Sequence, residues 1–296
     1  MRILFVGAVE FSAHALRELI ALQAKVVGVC TLTESTFNAD HFDLTQIANQ
    51  SGIPVRNTPN INDSEVFDWI HRLNPDVIFC FGWSRLIGAP LLALPQLGVI
   101  GFHPAALPAN RGRHPLIWAL VLGLSETAST FFFMDMGADT GDILSQATLS
   151  IEPTDDAKTL YNRITKVAME QIRTFVPRLA DGSFERQPQD HTLANVWRKR
   201  SVTDGCIDWR MSAESIHNLV RGLTHPYVGA HFEYQQQDIQ DIKVWRTEIE
   251  PTVPKNLEPG KILSVDQQGI LIKAGTDAIR LLDIEPQVIL NIGDYL

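Results

Sequence analysis

Cysteine is scarce: the chain of 296 residues has three, and Cys30, Cys80 and Cys206 stand far apart. An odd number without C-x-x-C spacing excludes a disulfide framework and a thiolate zinc site, so each is expected to be a small buried residue in a reducing compartment. Positive charge is scarce too. The formal net charge is −9, no Lys or Arg lies between Lys25 and Arg56, and from Arg200 onward nine basic residues face fourteen acidic ones. Proteins that grip nucleic acid neutralise phosphates with Lys and Arg, so this balance argues against a nucleic-acid partner. The longest apolar run, "LIWALVLGL" at 116–124, falls short of the roughly 18 residues a membrane span needs, and the opening "MRILFVGAVEF" meets Glu10 too soon for a signal peptide. A cytoplasmic protein without membrane contact is expected. Also absent are the three-glycine dinucleotide fingerprint after the first strand, a G-x-S-x-G elbow and an H-E-x-x-H helix, which removes the commonest NAD, hydrolase and metal readings.

What the sequence does have is alternation. Short β-branched runs such as "RILFVGA", "KVVGVCTL", "DVIFCFG" and "LGVIGFH" are separated by amphipathic stretches such as "SAHALRELIALQ" and "DSEVFDWIHRL". That rhythm predicts an α/β fold: a Rossmann-like, mostly parallel sheet with helices on both faces, which places ligands at the carboxyl ends of its strands. Two more strands, "TASTFFFMD" and "DILSQATLSI", read as a hairpin-like addition joined by "MGADTGD", and a long helix follows over about 155–179. The polar, turn-rich "ADGSFERQPQDHTLANVW" reads as a linker. After it come one helix, "SAESIHNLVRGL", and the strands "GAHFEYQ", "DIKVWRTEI", "GKILSVD", "GILIKA" and "AIRLLDIE", the pattern of a small open β-barrel. The expected domains are 1–185, a linker at 186–203, and a barrel-like domain at 204–296.

Two residues stand out at strand ends. His103 closes the fifth strand, and Asp139 sits 36 residues later in the turn "GADTGD". In a parallel sheet both reach one edge, where a carboxylate beside an imidazole fixes its tautomer and suits it to proton transfer. Read singly, His103 could equally bond a loop and Asp139 form an Asx turn.

The segments "GVIGFHPAALPANRGRHPLIWAL" and "MDMGADTGDIL", with "TDGCIDW", "LVRGL" and "HPYVGA" in the second half, resemble the formyltransferase family along nearly the whole chain. The resemblance implies formyl transfer from 10-formyltetrahydrofolate, a co-substrate, to an amine. His103 and Asp139 match the family's catalytic His and Asp: His103 stabilises or protonates the developing charge, and Asp139 orients it and helps accept the amine proton. The family's third member is an Asn two residues before the His, where this chain has Gly101. Losing one oxyanion donor typically costs about 10²–10³ in rate. A water or backbone N–H fills the gap, a donor such as Asn110 or Ser84 substitutes, or transfer is impaired.

By the same resemblance Trp83, Ser84, Arg85, Leu86 and Ile87 build the folate pocket, closed by Gly137 and Ala138, a mixture of apolar walls and backbone groups that suits a pterin. Arg111 and Arg113, with Asn110, stand beside His103 and suit a phosphorylated acceptor, or else form a solvated turn. Phe11 and Ser12 would line the acceptor side, with Ser12 also able to cap the first helix. The family's tRNA enzymes carry a basic insertion after an early strand, but the stretch at 31–44 here has Glu34, Asp40 and Asp43 and no Lys or Arg. The expected acceptor is therefore the amine of a nucleotide-linked amino sugar. The alternatives are methionyl-tRNA, and a folate- or nucleotide-binding protein with weak or no transfer because of Gly101. The acidic barrel surface is compatible with a homodimer.

Overall fold

A computed structural model describes residues 1–34, 39–234 and 241–296. The chain divides into two compact units, one formed by Met1–Pro115, Thr127–Leu149 and Asn162–Trp197, the other by Leu116–Glu126, Ser150–Tyr161 and Arg198–Leu296.

In the first unit, β1 (Arg2–Val6), β2 (Lys25–Thr31), β3 (Val55–Asn57), β4 (Val77–Cys80), β5 (Val99–His103), β7 (Glu126–Phe133) and β8 (Ile143–Ser150) form one sheet in the order β3-β2-β1-β4-β5-β7-β8. The first five are parallel, and β7 joins β5 antiparallel. Strands β1 and β4 are buried almost throughout, as expected where helices cover both faces. The helices are α1 (Glu10–Ala21), α2 (Thr45–Gln50), α3 (Ser64–Leu73) and α4 (Ala89–Leu92), with α6 (Ala157–Asp181) contributing from Asn162 onward. Phenylalanines fill the centre: Phe81 meets Phe5, Phe79 and Phe131 with ring centroids 5.1–5.7 Å apart. Two strands that the sequence did not reveal, β6 (Arg111–Gly112) and β9 (Val196–Trp197), pair in parallel.

The second unit contains α5 (Pro115–Val121, from Leu116), α7 (Ala213–Leu223) and five antiparallel strands in the order β10-β11-β14-β13-β12. These are β10 (Ala230–Glu233), β11 (Asp241–Glu250), β12 (Ile262–Asp266), β13 (Gly269–Lys273) and β14 (Ala278–Glu285). The end of the expected strand at 229–235, Gln235, lies outside the described residues, as do positions 35–38 of the acidic stretch. Ser212 caps α7 by accepting from the Ser215 N–H at 3.0 Å, and the helix buries Ile216, Leu219, Val220 and Leu223 against the strands' inner face. Among the described residues, no helix is long and apolar enough to cross a membrane.

Candidate active site

His103 is the last residue of β5 and is 5% exposed. Its Nε2 lies 2.8 Å from the carbonyl oxygen of Asn110. A carbonyl can only accept, so Nε2 carries the proton and Nδ1 is left facing the second group. That group is Asp139, whose Oδ2 stands 3.7 Å from Nδ1. The gap exceeds a hydrogen bond, so the carboxylate faces Nδ1 without bonding it.

Topology brings Asp139 there by a route the sequence did not suggest. Because β7 is antiparallel, it ends opposite Ile100, not at the carboxyl end of β5. The loop at 134–142 reaches His103 by folding back, and its sequence explains its shape. Asp135 Oδ1 accepts from the Gly137 N–H at 2.9 Å and the Thr140 hydroxyl at 2.5 Å. Gly141 is needed where a Cβ would stand 1.8 Å from the Phe133 carbonyl oxygen. Asp139 adopts a left-handed φ of 58°, which Asp tolerates better than most residues. Its Oδ2 also accepts from the Gly112 N–H at 2.9 Å.

Several expected site residues are occupied elsewhere. Arg111 is 6% exposed and donates Nε and Nη2 to Gln189 Oε1, at 3.2 and 2.6 Å, and Nη2 to His191 Nδ1 at 3.0 Å. It is a buried structural cation, not an open phosphate ligand. Phe11 stacks on Phe102 with centroids 4.0 Å apart, inside the core. Ser12 is fully buried at the third position of α1, where Val9 is the N-cap; its Oγ accepts from the Val9 N–H and donates to the Phe81 carbonyl at 2.6 Å. Neither Phe11 nor Ser12 lines an acceptor surface. Arg113 is exposed and donates to the Ser84 carbonyl at 3.2 Å, linking its loop to the one after β4. Asn110 contributes its backbone: the carbonyl to His103, and the N–H to Asn195 Oδ1 at 2.7 Å.

The space beside Gly101 is bounded by hydrocarbon. A Cβ there would meet Met134 Cγ at 2.9 Å and the Phe132 ring at 3.0 Å. The loop after β7 brings Met134 against β5, with its N–H donating to the Val99 carbonyl at 2.7 Å.

In the loop after β4, Trp83 is half-buried and packs with the core, while its indole N–H is buried with no hydrogen-bond partner. Leu86 is 86% exposed, and its carbonyl accepts from Asn62 Nδ2 at 2.9 Å; Asn62 Oδ1 accepts from the Gly88 N–H at 2.7 Å. Arg85 is exposed. Ile87 turns into the core at 8% exposure. Gly137 and Ala138 are exposed on the Asp139 loop beside Met136, which is 76% exposed. An unpartnered N–H donor, accessible apolar side chains and open loop backbone are features that suit a pterin.

Sequence reasoning missed Asn62, Gln189 and Asn195. A side-chain amide has no local signature, and each of these acts on residues distant along the chain.

Residues 1–176 match the family model described as formyl transferase, and residues 199–296 match its C-terminal domain. The chain belongs to the formyltransferase family. The methionyl-tRNA formyltransferase of Citrifermentans bemidjiense is 34% identical over all of this chain and 93% of its own length, and those of Geobacter sulfurreducens and Chloroflexus aurantiacus are 32% and 30% identical over 96% and 97% of this chain. Among solved structures, the N-formyltransferase from Helicobacter canadensis, in complex with folinic acid and dTDP-3-aminofucose, superposes with a TM-score of 0.71 at 17% identity, covering 95% of this chain and 98% of that one. The formyltransferase is an enzyme, and 10-formyltetrahydrofolate is its family's one-carbon donor.

These matches correct two expectations. The full-length relatives at 30–34% identity are methionyl-tRNA enzymes, whereas the sugar enzyme shares the fold at 17%, so a nucleotide-linked amino sugar is not the favoured acceptor. The exclusion of nucleic acid falls with it. Net charge is a sum over the whole surface, while phosphates are neutralised only where they touch.

Proposed function

We propose that this formyltransferase moves the formyl group of 10-formyltetrahydrofolate onto the α-amine of methionyl-tRNA. The observation that carries the acceptor is the similarity, over the whole chain, to methionyl-tRNA formyltransferases. His103 and Asp139 are assigned the chemistry, since the structure brings them within 3.7 Å although they are 36 residues apart.

When bound, the folate supplies a formyl carbon activated by its attachment to nitrogen. Trp83, Leu86, Gly137 and Ala138 are assigned to hold it, with the indole N–H offering a donor in need of an acceptor. The chain's own part is proton handling. An attacking amine must shed a proton as it forms the new bond, and Asp139 is the carboxylate placed to take it. His103 holds Nε2–H on the Asn110 carbonyl, which fixes its ring with Nδ1 toward Asp139, so that the proton taken from the amine by this pair is available to the folate nitrogen as it departs. Gly101 leaves this pair without the family's third side chain, and Met134 and Phe132 crowd the position where its Cβ would stand.

Purified initiator tRNA charged with methionine, incubated with the enzyme and 10-formyltetrahydrofolate, should yield formyl-methionyl-tRNA and tetrahydrofolate in equal amounts. Tetrahydrofolate release that does not depend on the charged tRNA, or no release at all, rejects the assignment.

A further inference from the structure

We infer that Gln189 is a positioning residue for the His103–Asp139 pair, and that the stretch expected to be a linker is the buckle that closes the catalytic loops. The inference rests on the assignment of that pair above. Gln189 lies outside both regions matched by the family models.

The two loops belong to different connections, one following β5 and one following β7. The Gln189 amide joins them. Its Oε1 accepts twice from Arg111, and its Nε2 donates to the carbonyls of Asp139 at 3.0 Å and Gly141 at 2.6 Å. Both amide protons and both oxygen lone pairs are thus used. Gln189 is 7% exposed and Arg111 6%, so these bonds are made away from water and a lost partner leaves a buried group unsatisfied.

Asp139 is tied at both ends. Its carbonyl is held by Gln189 and its carboxylate by the Gly112 N–H, while Gly112 is the neighbour of the Arg111 that Gln189 also grips. The result is a closed ring of contacts that fixes where the carboxylate stands relative to His103, and it stabilises a left-handed backbone that few residues adopt unaided. Gln189 is itself placed by the backbone. Gln187 and Ile143 exchange two hydrogen bonds at 2.8 and 2.9 Å, Asn195 receives the N–H groups of Asn110 and Arg111, and β9 runs beside β6.

The test uses the full-length enzyme with 10-formyltetrahydrofolate and methionyl-tRNA. Gln189→Leu removes all four bonds. Gln189→Glu keeps an oxygen for Arg111, and so the fold, but loses the donor to Asp139 and Gly141. Both should lower kcat by about 10–100-fold with KM for either substrate within about twofold, because a small misplacement of a reacting group costs rate more than binding. In an Asp139→Asn background, adding Gln189→Glu should change kcat by less than about twofold, since its effect passes through Asp139. The 15N signals of the His103 ring, read without acceptor, should move in Gln189→Glu as they do in Asp139→Asn. A folded Gln189→Glu enzyme with wild-type kcat and unmoved ring signals, or losses that multiply in the double variant, overturns the inference while leaving the pair's role intact. Wild-type turnover in Asp139→Asn itself overturns both.

Discussion

Around Asp139 the polar groups are spent on one another: carboxylate on Gly112, carbonyl on Gln189, and the Asp135 side chain on Gly137 and Thr140. Around Trp83 they are not. Asn62 anchors the flank of that loop, yet the indole N–H has no partner and Leu86 lies in solvent. The difference follows from what each loop must do. A group that moves protons works only if its position is settled before substrate arrives, whereas a loop that receives a ligand keeps its bonding capacity for that ligand.

The contrast breaks most sharply at the saturated loop. Asp139→Asn is expected to lower kcat by about 10²–10⁴-fold with little change in donor affinity, measured by steady-state kinetics and by titration with a folate analogue. If donor affinity falls instead, Asp139 belongs to the receiving side and the division is wrong.

Trp83→Phe tests the open loop. It keeps a ring and removes the orphan N–H, so KM for the folate should rise about 5–30-fold, the equivalent of about 1–2 kcal/mol, while the melting temperature of the free enzyme holds or increases because a buried unpaired donor has gone. A drop in melting temperature with unchanged KM would make Trp83 a packing residue only.

Gly101→Asn sharpens the picture at the wall between the loops. The new Cβ would press on Met134 and Phe132, and overpacking of this kind costs about 1–3 kcal/mol, seen as a lower denaturation midpoint. Faster transfer is expected only when Met134→Ala accompanies it and frees the space for an amide. A faster single variant would mean that Met134 yields more readily than its packing suggests.

The smallest effect serves as a control in the second unit. Burial on α7 lowers the pKa of His217 below its ordinary 6.5, while its Nδ1 meets the Thr247 hydroxyl at 3.0 Å. The unfolded chain therefore takes up this proton first as pH falls. The contribution of the neutral ring is complete above about pH 6.5 and declines below it, down to the depressed folded value. Thermal melts from pH 7.5 to 5.5 should show a modest loss that His217→Gln reduces, with no parallel change in kcat.

The sheet, its helices, the long α6 and all five strands of the second unit were legible in the sequence, because each is a local pattern of apolar residues with its own period. The local shape of the Asp139 loop was legible for the same reason: its Asp, Gly and Thr act within six positions. Arg111 illustrates what was not. A guanidinium beside a reactive histidine reads as an anion site until the glutamine that covers it, 78 residues later, is seen. Phe11 and Ser12 lie where a first strand exits, which in similar sheets faces a ligand, but here the face is sealed by Phe102 and the Phe81 carbonyl. Met134 gave no sign that it would press on Gly101, since that depends on a loop reversing direction after an antiparallel strand. Whole-chain charge misled about the acceptor because it averages over a surface that a partner samples locally.

Strand β9 has a consequence for the order of synthesis. His103 and Asp139 leave the ribosome well before it does, so a nascent or truncated chain that ends near position 185 contains both but lacks Gln189 and Asn195 to hold their loops together. Such a product should hold the pair loosely however well its sheet has formed, which makes the stretch before Arg198 the step at which the two loops are first clasped.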